Sequence, residues 1–421
     1  AAVETGFDRA WSAIRDSNFS TLLTCAILFY LGSSIIKGFA FNLAAGVVVS
    51  MFTAITVTKT LLKGFIGKKI AHNLKAFGAT EEKKKNIPFI KNSKIWLGFS
   101  GTLVGLSIIA IAAFGLNLGI DFKGGTLLEF NFHEQVTKEQ LSETLGQIED
   151  EINSGQVATT EAPATEEKAA TAEPTIAEDN TTETVDLKSA KVIASGENYI
   201  VKTKYITSEI HDQIIAKMKD KLPEFTEPRF TTIGPVLGKT MLTKALTAIV
   251  FALVMIIIYI GIAFRKIPKE VSPWRFGAAA IAALVHDVVI VTGVFAVLGH
   301  FMAVEIDTLF ITAMLTVFGY SVNDTIVIFD RLRENLLHQE KGETIEEVAD
   351  KSLNQTLTRS LNTSLSTLFA LVAVLLWGSG SIFYFILALT LGTVVGTYSS
   401  IFTASPILVM WTKWANKKEQ N

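Results

Sequence analysis

The chain has 421 residues, 49% of them hydrophobic and 19% charged, with a formal net charge of −2. That balance excludes a global field for gathering nucleic acid, and so small a charged share argues against a string of ordinary soluble domains. The lone cysteine, Cys25, excludes an intramolecular disulfide and a cysteine-based metal site.

The apolar excess falls in blocks of about 18–25 residues, the length at which an α-helix crosses hydrocarbon. The chain opens Ala-Ala-Val without a signal pattern, so we expect it to continue upstream in its natural form. Two spans, Phe19–Ile36 and Phe39–Leu62, make up a first helical unit, 1–62. A linker, 63–94, carries Lys63, Lys68, Lys69, Lys75 and five further lysines. The next span is Ile95–Leu116, within 95–118.

Segment 119–237 reads differently. A strand pattern at Thr126–Phe132 is followed by an amphipathic helix, Thr137–Ile152, with Thr137 as N-cap and Gln140 in the capping-box position. Residues 156–186, rich in Ala, Thr, Glu and Pro, bury too little apolar surface to offset their ordering entropy and read as a disordered acidic insertion. Strands at Ala190–Ala194 and Tyr199–Tyr205 flank a Ser-Gly-Glu-Asn turn. A helix, Thr207–Leu222, and a strand, Arg229–Ile233, complete a β-α-β-β-α-β order, the ferredoxin-like arrangement.

Five spans fill 238–412: Met241–Phe264, Phe276–Leu298, Leu309–Phe329, Ser360–Trp377 and Ile382–Trp411; a tail, 413–421, ends the chain. The expected fold is thus a polytopic α-helical membrane protein with eight transmembrane helices and one small ferredoxin-like α+β domain. Helices are the natural spanning form because every backbone polar group must be satisfied within the segment. Lys and Arg gather in alternate linkers, which places both termini in the cytoplasm and 119–237 outside.

The first and last hairpins repeat one another. Ser20-Thr21-Leu22 aligns with Ser366-Thr367-Leu368, and the same offset pairs Gly32 with Gly378, Gly46 with Gly392 and Ile55 with Ile401. If Ile95–Trp411 is one six-helix unit, the first hairpin is the end of another, and the natural assembly has twelve helices in two pseudo-symmetric halves.

Charge inside a span costs ~3 kcal/mol on insertion scales and marks a functional candidate. Asp324, among Ser321, Asn323 and Thr325, lies ~9 Å inside the basic edge of its helix and is the foremost candidate proton carrier. Asp287, beside His286, fits a proton relay or a structural interhelix pair equally well, and a lone histidine is more often a core residue. Arg359, at the entry of the seventh span, fits a snorkelling anchor at a helix end. In Gly119-Ile120-Asp121-Phe122-Lys123-Gly124-Gly125, the paired glycines permit a tight path into the first strand, and Asp121, Gly124 and Gly125 read as a coupling motif between helix and outer domain. No nucleotide-binding loop, zinc spacing or nucleophile elbow occurs, so no enzyme activity, cofactor or metal is expected.

The GIDFKGG run, Phe318–Arg331 (FGYSVNDTIVIFDR), Asn354–Ser360 (NQTLTRS) and His286-Asp287 together resemble the SecD/SecF family, and 6–62 resembles the last two spans of its SecD half. The resemblance implies an accessory subunit of the Sec translocase in the bacterial inner membrane, drawing on the proton-motive force during late export. It implies as partners the SecYEG channel, SecA, a YajC-like subunit, the remaining SecD portion, emerging unfolded polypeptide and membrane lipid, and no nucleic acid. It also implies that Asp324 lies on the proton path and that Arg359 works with it. The acidic insertion is longer than the family pattern needs. Two rival readings are a proton-driven small-molecule efflux pump of the wider resistance-nodulation-division superfamily and a passive scaffold of the channel; the small outer domain argues against the pump.

Overall fold

The computed structural model describes residues 2–32, 34–65, 87–157, 185–195, 198–265, 271–378 and 380–419. They form two units, Ala1–Asn117 with Thr243–Asn421, and Leu118–Leu242. Helices α1 (Ala2–Leu31), α2 (Ser34–Phe52), α3 (Thr58–Phe65) and α4 (Ser93–Phe114) come first, with a π-helical turn at Thr53–Val57 between α2 and α3. Then follow α5 (Ile120–Lys123), β1 (Gly125–Phe132), α6 (Lys138–Val157), β2 (Lys191–Ser195), β3 (Asn198–Thr203), α7 (Ser208–Lys221) and β4 (Phe225–Ile233). The chain continues through α8 (Pro235–Ala263), α9 (Pro273–Met302), α10 (Thr308–Leu337), α11 (Ile345–Trp377) and α12 (Phe383–Ser399), a second π-helical turn at Ser400–Ala404, and α13 (Ser405–Glu419).

Among the described residues seven helices, not eight, are long and apolar enough to cross a bilayer. The exception is α1. It stops at Leu31 rather than Ile36, and Asp16, Ser17, Asn18 and Ser20 leave its apolar part too short. Other helices outrun their expected bounds at polar ends. α11 begins fifteen residues earlier than Ser360, at a capping box in which Thr344 and Glu347 satisfy each other's backbone N–H groups.

Burial within the membrane unit is uneven. In α10, 78% of the most apolar stretch is buried, against 6% for Ile36–Gly64, so α10 is the axis of the unit. Small residues let helices close on it. A Cβ on Gly392 would meet Val317 Cγ2 at 2.2 Å, and one on Gly396 would meet Ser321 Cβ at 2.9 Å. Gly293 of α9 is as tight against Ser107 of α4, at 2.4 Å. In lipid, where apolar contact carries no hydrophobic reward, close approach of this kind holds helices together.

The repeated hairpins share backbone detail. Gly32 N–H donates to Leu28 O at 2.9 Å and Gly378 N–H to Val374 O at 2.7 Å. Each outgoing helix then carries a five-residue π-helical turn, and a hydroxyl five residues on donates back into it, Thr58 to Thr53 O and Ser405 to Ser400 O.

In the other unit the strands pair antiparallel in the order β2-β3-β1-β4, the split β-α-β topology expected. Leu128, Phe130 and Val201 on one sheet face meet Leu145 and Ile148 of α6 and Ile214 and Met218 of α7 in a dry core. The expected capping box forms, Thr137 and Gln140 bonding reciprocally at 3.0 and 3.2 Å. β4 is four residues longer than expected. Glu227 and Pro228 bulge opposite Phe130, which accommodates the proline on an edge strand. Most of the acidic insertion lies outside the described residues. Its far end is ordered: Val185 is buried, and Asn153 accepts from its N–H at 3.1 Å and donates to its carbonyl at 3.0 Å.

Candidate functional site

A polar layer crosses the membrane unit between α9, α10, α11 and α12. Its centre is Asp287, 0% exposed midway along α9. Ser321 Oγ donates to Asp287 Oδ2 at 2.7 Å, Ser399 Oγ donates to the same oxygen at 2.9 Å, and His286 Nδ1 sits 3.0 Å from Oδ1. Ser321 and Thr325 lie one helical turn apart on α10, so they face the same way. Thr325 completes the layer through Ser400 Oγ at 2.8 Å, at the start of the π-helical turn. The His286 ring stacks 6.1 Å from Tyr398, whose hydroxyl bonds Trp96 O and Ser100 of α4 at 3.1 Å. Nε2 of His286 is buried without a hydrogen-bond partner among the described residues.

Asp324 belongs to a second contact, from α10 to α11. Ser360 Oγ donates to its Oδ1 at 2.6 Å, while Oδ2 is buried with no partner among the described residues. Arg359, the residue before Ser360, is exposed, and its charge acts on Asp324 without a direct ion pair among the described residues. Asn323 is part-buried and stands outside both bonded sets.

The polar end of α11 is held independently. Asn335 donates to Ser352 at 2.8 Å and to Gln355 at 2.9 Å, and Arg331 donates to Gln355 at 2.6 Å. Asn354 bonds both the N–H and the carbonyl of Ile87, and Asp350 accepts from Ile90 N–H at 2.8 Å. Deeper in, Thr397 donates to Ser364 at 2.7 Å.

Comparison with known proteins follows this geometry. The family model for the SecD/SecF protein export membrane protein C-terminal region matches residues 213–414, and that for the SecD/SecF GG motif matches 109–136. Protein translocase subunit SecF of Thermobaculum terrenum is 40% identical over 72% of this chain and 87% of its own length. The chain belongs to the SecD/SecF family. Protein translocase subunit SecDF of Brucella abortus is 30% identical over 97% of this chain and 48% of its own. The crystal structure of SecDF, a translocon-associated membrane protein from Thermus thermophilus, superposes with a TM-score of 0.76 at 29% identity, over 98% of this chain and 50% of that one. The chain therefore spans about half the length of these SecDF relatives.

The GG motif of the SecD/SecF family has a steric basis here. Gly124 and Gly125 adopt φ of 80° and 143°. A Cβ on Gly124 would lie 2.8 Å from Pro235 Cα at the start of α8, and one on Gly125 would lie 2.8 Å from Thr203 O. Gly238 answers from α8, where a Cβ would meet Gly124 N at 2.8 Å. The turn after α5 thus lies backbone to backbone against the first turn of α8, and Asp121 sits within α5. Sequence reasoning missed Gly238, it missed Ser399 and Ser400 in the polar layer, and it missed Ser360 beside Asp324. For Ser399 and Ser400 the available signal was a hydroxyl pair three and four residues after Gly396. Among the described residues no group of three His, Cys, Asp or Glu is placed to hold a metal ion.

Proposed function

We propose that this chain is a proton-driven accessory subunit of the Sec translocase that promotes late steps of polypeptide export across the bacterial inner membrane. The observation behind this reading is the half-satisfied carboxylate of Asp324, with Ser360 on one oxygen and, among the described residues, no partner on the other. Ionised, Oδ2 leaves an uncompensated acceptor between α10 and α11. Protonated, the same atom becomes a donor and the charge is gone. The two states thus differ in what they ask of the α10–α11 contact, which is the requirement for a two-state element. A membrane potential acts on one charge with about 2.3 kcal/mol per 100 mV, enough to bias such an element. Arg359 is the cation available to the ionised form, and Asp287 with His286 holds α9, α10 and α12 so that the change is felt at α11.

The same proposal places both termini in the cytoplasm and 119–237 in the periplasm, as the distribution of Lys and Arg supports. Its partners are the SecYEG channel, SecA, a YajC-like subunit, the SecD portion and the emerging polypeptide. Asp121, Gly124 and Gly125 couple the turn to α8. The test is export into vesicles with and without a proton gradient, comparing the full SecDF assembly with its Asp324→Asn form. The variant is expected to lose the gradient-stimulated fraction and keep the rest. Undiminished stimulation by the gradient would sink the mechanism, and export that never depends on the gradient in the parent assigns a scaffold role instead.

A further inference from the structure

We infer that the membrane unit carries a binding site for a phosphate-bearing lipid headgroup where α1, α8 and α10 converge. Arg15 of α1, Arg265 just past the end of α8 and Arg333 near the end of α10 open onto one cavity of about 520 Å³. All three lie at the end of the unit that carries the basic linkers, so the cavity sits at headgroup depth.

The charges around it are only partly spent. Arg15 pairs with Asp16 at 2.7 Å, but the acid is 12% exposed and the base 55%, so the guanidinium stands in front of its counter-ion. Arg333 pairs with Asp330 at 2.6 Å and lies 5.7 Å from the Phe264 ring centroid. Arg265 is exposed and has no side-chain partner among the described residues. A guanidinium carries five N–H donors and one carboxylate engages at most two, so each arginine keeps donors for a further anion. Even with both aspartates counted, three cations against two anions leave an excess of one positive charge, which suits a phosphodiester.

The remaining wall selects the kind of phosphate. Phe19, 51% exposed, packs on Tyr259 at 5.1 Å, and Ile262 beside them is 57% exposed. A guanidinium cluster edged by exposed apolar and aromatic surface matches an amphiphile, with its phosphate on the arginines and its glycerol and upper chain along Phe19 and Ile262. A soluble phosphate would use the first feature and leave the second uncovered. A general basic anchor would need neither a cavity nor convergence from three helices.

The test takes the full chain purified in detergent and counts adducts by native mass spectrometry after incubation with phosphatidylglycerol, phosphatidylcholine or inorganic phosphate. The parent should retain one phosphatidylglycerol in preference to phosphatidylcholine. Arg265→Gln should weaken retention about tenfold, the loss of one charge-assisted contact, and Arg15→Gln with Arg265→Gln should abolish it. Lys94→Gln, at the same end of the unit but outside the cavity, should change nothing. Because Arg15 and Arg265 are exposed, an unchanged melting midpoint confirms that these variants stay folded. A phosphatidylglycerol adduct that survives excess inorganic phosphate identifies the ligand as lipid. Displacement by inorganic phosphate overturns the lipid assignment in favour of a soluble anion. Equal retention by the double variant, or equal retention of phosphatidylcholine, overturns the site altogether.

Discussion

Asp287 and Asp324 occupy the same helical bundle under opposite conditions. Asp287 is wholly buried, and both of its oxygens are engaged, by two serines and a histidine drawn from three helices. Asp324 holds one serine, and its other oxygen has no partner among the described residues. A carboxylate surrounded by donors gains from staying in one state, and its removal strands the donors that point at it. A carboxylate with one oxygen unbonded has fewer contacts fixing it in a single state. On the proposed mechanism, the difference assigns the fully satisfied acid to a clamp and the partly satisfied one to a switch.

The largest test of that contrast is Asp287→Ala. It leaves Ser321, Ser399 and His286 facing an empty pocket and should cost about 3 kcal/mol or more, as in other broken buried pairs. Thermal unfolding in detergent would record it; a melting midpoint like the parent's would end the clamp reading. Gly396→Ala comes next. Its methyl would press on Ser321 and push α12 from α10, at about 1–3 kcal/mol for an overpacked contact, and distances between spin labels on the two helices would widen.

Ser360→Ala sharpens the other side. It removes the donor that Asp324 has among the described residues, for about 1 kcal/mol in the parent. The same change made in Asp324→Leu should cost clearly less. Additive losses in that double-mutant cycle would deny the contact any coupling. The smallest effect belongs to a carboxylate that water reaches. Lys204 and Ser189 hold the Asp186 carboxyl at about 2, below its usual range. Its contribution to folding is complete above the unfolded-state value and is lost as pH falls toward 2. Solvent screening keeps it small, so Asp186→Asn should cost only a few tenths of a kcal/mol at neutral pH and progressively less as pH falls through 2, as read by denaturant unfolding of the full chain.

Much of this architecture was legible in the residues. Apolar block length marked the helices, and period-two patterning with the Thr137–Gln140 cap marked the small domain, because these signals are local. Sequence and structure part where local signals end. The apolar run of the first span continues past Gly32, yet α1 ends at Leu31. β4 begins four residues before Arg229, and pairing with β1 reveals the bulge that admits Pro228. For the site, a charge in hydrocarbon was enough to single out Asp287 and Asp324.

The sequence alone determined which carboxylates are costly, that Gly124 and Gly125 permit a tight turn, and which family motifs the chain carries, since each depends on residue type and near neighbours. Only the tertiary structure decided that Ser321 and Ser399 serve Asp287, that Ser360 serves Asp324, and that Arg15, Arg265 and Arg333 share one cavity. The reason is physical. Hydrogen-bond satisfaction and charge convergence depend on how separate helices approach one another, and residues far apart in the chain carry no mark of the partner they will meet.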